Sequence, residues 1–126
     1  RTCEFAMVNP ERQGLSARFA WMAVAERERG NDPLQAIQKL DLDSGETHTW
    51  SAAPRGFVSE PLMVRRPGAE AEDDGWVLDL VWNGARAASD LVILNARDLS
   101  EVAVLELPLA VPHGLHGSWA AGSVTA

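Results

Sequence analysis

Short apolar runs recur along the whole chain, each closed by Gly, Pro, Asn or Asp, and this rhythm narrows the fold more than any other feature. Phe5 to Val8, Phe19 to Ala25, Ala36 to Leu42, Gly56 to Val64, Trp76 to Trp82, Leu91 to Leu94 and Val102 to Leu107 read as strands. The turns between them are explicit: Asp43-Ser44-Gly45 leads into Glu46 to Trp50, where Thr47 and Thr49 favour a hairpin, and Asn83-Gly84 and Arg97-Asp98-Leu99-Ser100 separate the last three strands. This is the pattern of a β-meander rather than of βαβ units, so an all-β class is expected. Three strands in succession at roughly 13-residue spacing suggest an up-and-down sheet the size of a propeller blade. An alanine-rich helix over Ser16 to Arg29 competes with the strand at Phe19, because periodicity alone does not exclude it. Beyond Leu107, Pro112, Gly114 and Gly117 prevent a long regular element, and Pro108 to Ala126 is expected to be irregular.

At 126 residues the chain is one domain at most. Its net charge of −7, with no basic cluster longer than Arg65-Arg66, lacks the footprint that a phosphate backbone requires, which excludes nucleic acid as the expected partner. Apolar residues make up 46% and the mean hydropathy is −0.12, a globular composition too polar for a membrane span. The uncharged stretch from Leu107 to Ala126 contains prolines and glycines that would leave backbone groups unpaired in lipid, so no transmembrane segment is expected there. A single cysteine, Cys3, excludes an internal disulfide and fits a reducing compartment, and without a recognisable sorting signal a cytoplasmic or membrane-associated location is expected. The chain opens on Arg1 and runs at once into apolar sequence, so it is expected to be a fragment.

Few residues look able to carry chemistry. In an unbroken strand from Val58 to Val64, Glu60 shares a face with Val58, Leu62 and Val64. A carboxylate on an apolar face needs a partner, since a polar group left unbonded costs roughly 2–7 kcal/mol. A cation, a hydrogen-bonding side chain or a backbone amide would serve, and a register that exposes this face would remove the need. Glu4 stands in the same relation to Ala6 and Val8 near the chain end, where fraying would relax the demand. His113 and His116 form an H-x-x-H pair in the Gly-rich run Val111-Pro112-His113-Gly114-Leu115-His116-Gly117-Ser118-Trp119. Imidazole is the commonest metal ligand near neutral pH, but two histidines do not complete a site. His48 reads as a strand-face residue and Cys3 as a small hydrophobe without a histidine nearby in sequence. Glu72-Asp73-Asp74 reads as a solvated hairpin turn unless more oxygens converge on it. Trp76 and Trp82 lie in the most apolar strand, which is expected to be buried on both faces, and are expected in the core. There is no G-x-S-x-G elbow, phosphate loop, GxGxxG or HExxH.

Four ordered motifs go further. Gly56-Phe57-Val58-Ser59-Glu60-Pro61-Leu62, then Arg66-Pro67-Gly68-Ala69 with Glu72-Asp73-Asp74-Gly75-Trp76-Val77-Leu78, then Ser89-Asp90-Leu91-Val92-Ile93-Leu94-Asn95-Ala96 resemble the C-terminal portion of the carotenoid cleavage oxygenases. The closing Pro112-His113-Gly114-Leu115-His116-Gly117-Ser118-Trp119 resembles that family's terminal segment, and Cys3-Glu4-Phe5-Ala6-Met7-Val8-Asn9-Pro10 resembles, less closely, its glutamate-containing strand.

The resemblance implies the C-terminal blades of a seven-bladed β-propeller with a non-haem Fe(II) on its axis, held by four histidines from different blades. It implies insertion of O₂ across a conjugated C=C bond of a carotenoid or apocarotenoid, giving aldehydes or ketones. Carried over by position, His116 would be an iron ligand and catalytic residue, whereas His113 stands where the family varies. Glu60 and Glu4 would be glutamates that hydrogen-bond ligand imidazoles, Glu60 buttressing His116 itself. The other three ligands would lie outside the chain, so alone it is expected to bind no iron specifically, to lack dioxygenase activity and, with open sheet edges, to be poorly soluble or partly unfolded. Any membrane contact would come from regions outside the chain. The rival readings are a non-catalytic carotenoid-binding or scaffold propeller, a retinoid isomerohydrolase, an enzyme cleaving stilbene-like phenylpropanoids and an unrelated all-β binding module.

Overall fold

A computed structural model describes residues 1–30 and 32–122, which form nine strands and, at Pro10–Arg12, one 3-10 turn. Strands β1 (Cys3–Val8), β2 (Phe19–Ala25), β3 (Leu34–Asp41) and β4 (Thr47–Ser51) make a four-stranded antiparallel meander in chain order. The segment that could also read as a helix over Ser16 to Arg29 is therefore a strand. Lying between β1 and β3, β2 bonds its backbone on both sides, and tertiary pairing outweighs the helix propensity of its alanines. The β3–β4 turn forms where expected: Gly45 adopts φ +76° and its N–H donates to Asp41 O at 2.8 Å. Asp41 caps this turn by accepting from the N–H of Asp43 and Ser44. Its carboxylate pairs with Arg18, which holds its pKa well below the usual range.

The second sheet contains β5 (Gly56–Phe57), β6 (Leu62–Arg65), β7 (Gly75–Asn83), β8 (Ala88–Asn95) and β9 (Glu101–Glu106). Both β5 and β6 pair with β7, so the continuous strand expected over Gly56 to Val64 is broken. Strands β7, β8 and β9 form the expected meander.

The core lies between the two sheets, where Trp21, Ala23 and Ile37 of the first meet Val77, Val81, Val92 and Leu94 of the second. Trp21 Nε1 donates to Ala96 O at 3.0 Å, tying the sheets together at the buried indole. Along β7 the odd-numbered residues face this core while the even-numbered ones are half-buried or exposed. The expectation of burial on both faces fails, and with it the core placement of Trp76 and Trp82. Period-two alternation puts them on the opposite face, which the tail partly covers at Trp82. Trp76 there lies under the Arg66 guanidinium, 4.2 Å from the ring centre.

After β9 the chain runs without strand or helix, as expected, through the described residues to Gly122; residues 123–126 of the expected irregular tail lie outside them. Ser89 of β8 ties the start of this tail down, its N–H donating to Leu109 O (3.0 Å) and its O accepting from Leu107 N–H (3.0 Å). Its hydroxyl oxygen accepts from Val111 N–H at 2.9 Å. Among the described residues no helix is long and apolar enough to cross a membrane.

Candidate functional site

The break between β5 and β6 decides where Glu60 points. Phe57 pairs with Trp82 and Leu62 with Leu78, so five steps on one strand face four on the other and one residue is extra. Such a bulge reverses which residues share a face. Val58 and Met63 enter the core, whereas Glu60 and Leu62 line a cavity on the other side of the sheet. The expectation that Glu60 shares a face with Val58 fails for this reason, whereas its parity with Leu62 and Val64, which pair with Leu78 and Trp76, holds. Ser59 holds the break to β7, its N–H donating to Asp79 Oδ1 at 2.9 Å and its hydroxyl to Leu80 O at 2.7 Å.

The cavity encloses about 390 Å³ between the even-numbered face of β7 and the tail, with Leu62, Leu78, Leu80 and Leu91 on one wall and 111–117 on the other. Across it Glu60 Oε1 lies 3.1 Å from His116 Nδ1, and Oε2 accepts from Gly117 N–H at 2.6 Å. The carboxylate is 20% exposed and the imidazole 70%. An ionised carboxylate can only accept, so this contact puts the ring proton on Nδ1 and leaves the Nε2 lone pair available. Gly117 fits closely: a Cβ there would stand 3.4 Å from Leu62 Cδ1. From β1, Phe5 meets the imidazole edge-on, ring centres 6.0 Å apart and planes at 90°.

Phe5 is the residue that sequence reasoning missed. It adopts φ +56°, a strained conformation for a bulky side chain, at an irregularity in the β1–β2 register between Glu4 and Met7. That irregularity also breaks the expected parity of Glu4 with Ala6 and Val8. Glu4 is exposed and its carboxylate makes no hydrogen bond among the described residues, so the structure unites Glu60 with His116 but not with Glu4. His113 is exposed and lines the same cavity without bonding Glu60. His48 lies on β4, 3.6 Å from Glu46 and outside the site, and Cys3 is exposed rather than packed.

The acidic run is a structural hub. Glu72 Oε1 accepts from the N–H of Arg18 and Phe19, Asp73 pairs with the buried Lys39 at 2.6 Å, and Asp74 lies beside Arg66 and Arg97. One carboxylate stands apart from all of these. Asp79 is 1% exposed, its Oδ2 has no hydrogen-bond partner among the described residues, and burial pushes its pKa up to about 7.

Residues 1–121 match the retinal pigment epithelial membrane protein family. The chain belongs to that family. Apocarotenoid-15,15'-oxygenase of Synechocystis sp. is 48% identical over 122 residues, which are 95% of this chain and 25% of that protein. Resveratrol cleavage oxygenase 1 of Aspergillus fumigatus is 35% identical, with 97% of this chain matched to 24% of that one. The crystal structure of the cobalt-substituted Synechocystis apocarotenoid oxygenase superposes with a TM-score of 0.93 at 48% identity, covering 95% of this chain and 26% of that chain. The chain thus spans about a quarter of the length of these relatives, and its two blade-like sheets are part of a larger β fold.

Among the described residues no three His, Cys, Asp or Glu side chains come together as a metal site. The donor chemistry of His116 fits a metal one ligand at a time: a carboxylate fixes its Nδ1 proton, and Nε2 is a borderline donor suited to iron.

Proposed function

We propose that this chain is the C-terminal part of a non-haem Fe(II)-dependent dioxygenase, built as blades of a seven-bladed propeller, that cleaves a conjugated C=C bond of a carotenoid or apocarotenoid to carbonyl products. The observation that carries this reading is the Glu60–His116 pair at the rim of an apolar cavity, in a chain 48% identical to an apocarotenoid oxygenase. His116 would hold the iron through Nε2, with the remaining ligands supplied from outside the chain. Glu60 keeps the ring proton on Nδ1, fixes the ring plane and raises the basicity of Nε2. Phe5 limits rotation of the imidazole from its edge. Glu4 would serve a ligand histidine from another part of the protein. Iron, when bound, supplies a redox-active Lewis acid with open positions for O₂. The leucine-lined cavity presents an apolar wall to a polyene.

A stilbene-like phenylpropanoid is the second substrate reading, favoured by the 35% identity to resveratrol cleavage oxygenase 1. The full-length protein, loaded with iron(II) and given either substrate class, decides by product mass. Two carbonyl fragments from the polyene support the proposal, cleavage of the stilbene alone favours the second reading, and an unchanged carbon skeleton from both refutes dioxygenase cleavage. Metal titration of His116→Ala provides a check independent of turnover: unchanged iron affinity removes His116 from the ligand set.

A further inference from the structure

Asp79 is a carboxylate in the interface between the sheets, 1% exposed, with one oxygen bonded only to Ser59 N–H and the other unpartnered. A buried group this poorly satisfied is costly and calls for a physical reason. The bond it makes falls at the bulge. A bulge removes regular ladder bonds, and here Ser59 replaces them with two bonds to β7, one to Asp79 Oδ1 and one to Leu80 O. Glu60 is the next residue, and its two oxygens engage His116 and Gly117. The path from β7 to the imidazole is therefore short and polar: Asp79, Ser59, Glu60, His116.

We propose that Asp79 is a positioning residue for this site. By fixing the backbone N–H of Ser59 it sets the direction in which the chain delivers Glu60, and through Glu60 the tautomer and ring plane of His116. An apolar residue at position 79 would fill the core but leave the Ser59 N–H without its acceptor, so the break could relax and carry Glu60 away from the imidazole. Asparagine keeps an Oδ1 acceptor and the shape of the side chain, and should preserve the path. The inference rests on the proposed role of His116 as a metal ligand.

The test is competitive titration of the full-length protein with iron(II), and with cobalt(II) as a second probe, using wild type, Asp79→Val, Asp79→Asn, Ser59→Ala and His116→Ala. Circular dichroism and a thermal scan check the fold of each. The expected result is a loss of metal affinity of about 10- to 100-fold in Asp79→Val, recovery to within about threefold of wild type in Asp79→Asn, and an intermediate loss in Ser59→Ala. A folded Asp79→Val with wild-type affinity overturns the proposal. So does an Asp79→Asn that is folded but as weak as Asp79→Val, because the acceptor would then not be what matters. Should Asp79→Val not fold, amide hydrogen exchange in wild type and Asp79→Asn decides, since both keep the acceptor for Ser59 N–H, and a Ser59 N–H that exchanges as fast as an unbonded amide in both overturns the proposal. Unchanged affinity in His116→Ala is a different failure, that of the ligand assignment.

Discussion

Replacing Asp79 by Asn removes a charge from the core while keeping the acceptor for Ser59 N–H, so its effect on stability isolates the carboxyl titration. Burial raises the folded-state pKa from the ordinary 3.8 to about 7. A carboxyl with a raised folded pKa binds its proton more tightly in the folded state. Its cost is absent below the unfolded value, grows as the pH rises from about 4 towards 7, and is constant above that. The full rise of about 3 units corresponds to about 4 kcal/mol, of which roughly 3 kcal/mol accrues between about pH 5 and pH 8. Urea unfolding of the full-length protein at those two pH values should show the wild type losing that much more stability than Asp79→Asn over the interval. The amide leaves its own N–H donors in the core, at about 1–3 kcal/mol, but this offset is the same at both pH values and cancels in the comparison. Parallel pH dependence in wild type and variant would refute the reasoning, because it would mean that the carboxyl is not held protonated by its surroundings.

Two further substitutions test the frame around the site. Gly75→Ala should destabilise the chain by at least about 2 kcal/mol, because its Cβ would collide with Val64 O and come within 2.9 Å of Met63 Cε; a thermal midpoint equal to wild type would contradict the β6–β7 packing. Lys39→Ala should cost about 3–5 kcal/mol in urea unfolding, since it strips Asp73 of its buried partner, frees Arg97 O and removes the cation 4.0 Å from the Phe19 ring centre. A loss below about 1 kcal/mol would mean that the pair is screened like a surface ion pair.

The meander was legible in the sequence because turn residues and apolar runs alternate at strand length, and Gly45 and Asn83-Gly84 mark turns that the structure contains. The irregularities between β5 and β6 and within β1 were not legible. Nothing in Gly56 to Val64 signals that one residue is extra, since that depends on pairing with β7, and Phe5 at positive φ has no local signature. Both misplacements of face parity, at Glu60 and at Glu4, follow from assuming unbroken strands. Trp76 and Trp82 fail differently: their strand is apolar on both faces, but only one face meets the other sheet. The contact between Glu60 and His116, 56 residues apart, belongs to tertiary structure, and the ordered motifs pointed to it where periodicity could not.

Glu60 has two tasks, and glutamine separates them. Between Val111 and Gly117 the tail crosses the cavity, and the Gly117 N–H to Glu60 Oε2 bond is its anchor at the imidazole end. A carboxylate can accept from Gly117 N–H and from His116 Nδ1–H at once, whereas a primary amide has one accepting oxygen and one donating nitrogen. If the glutamine oxygen accepts from Gly117, its NH₂ faces Nδ1 and favours the tautomer protonated on Nε2, which has no lone pair there for a metal. If the oxygen turns to Nδ1–H instead, the NH₂ opposes the Gly117 N–H and the tail loses its anchor. Glu60→Gln in the full-length protein is therefore expected to fold, with a thermal midpoint near wild type, and to lose iron(II) affinity by about 10- to 100-fold. Glu60→Ala should lose the metal to a similar degree and also make 112–117 more sensitive to limited proteolysis. Wild-type iron affinity in Glu60→Gln, with 112–117 as resistant to proteolysis as in wild type, would show that the carboxylate serves only to tie down the tail, and the assignment of its role towards His116 would fall.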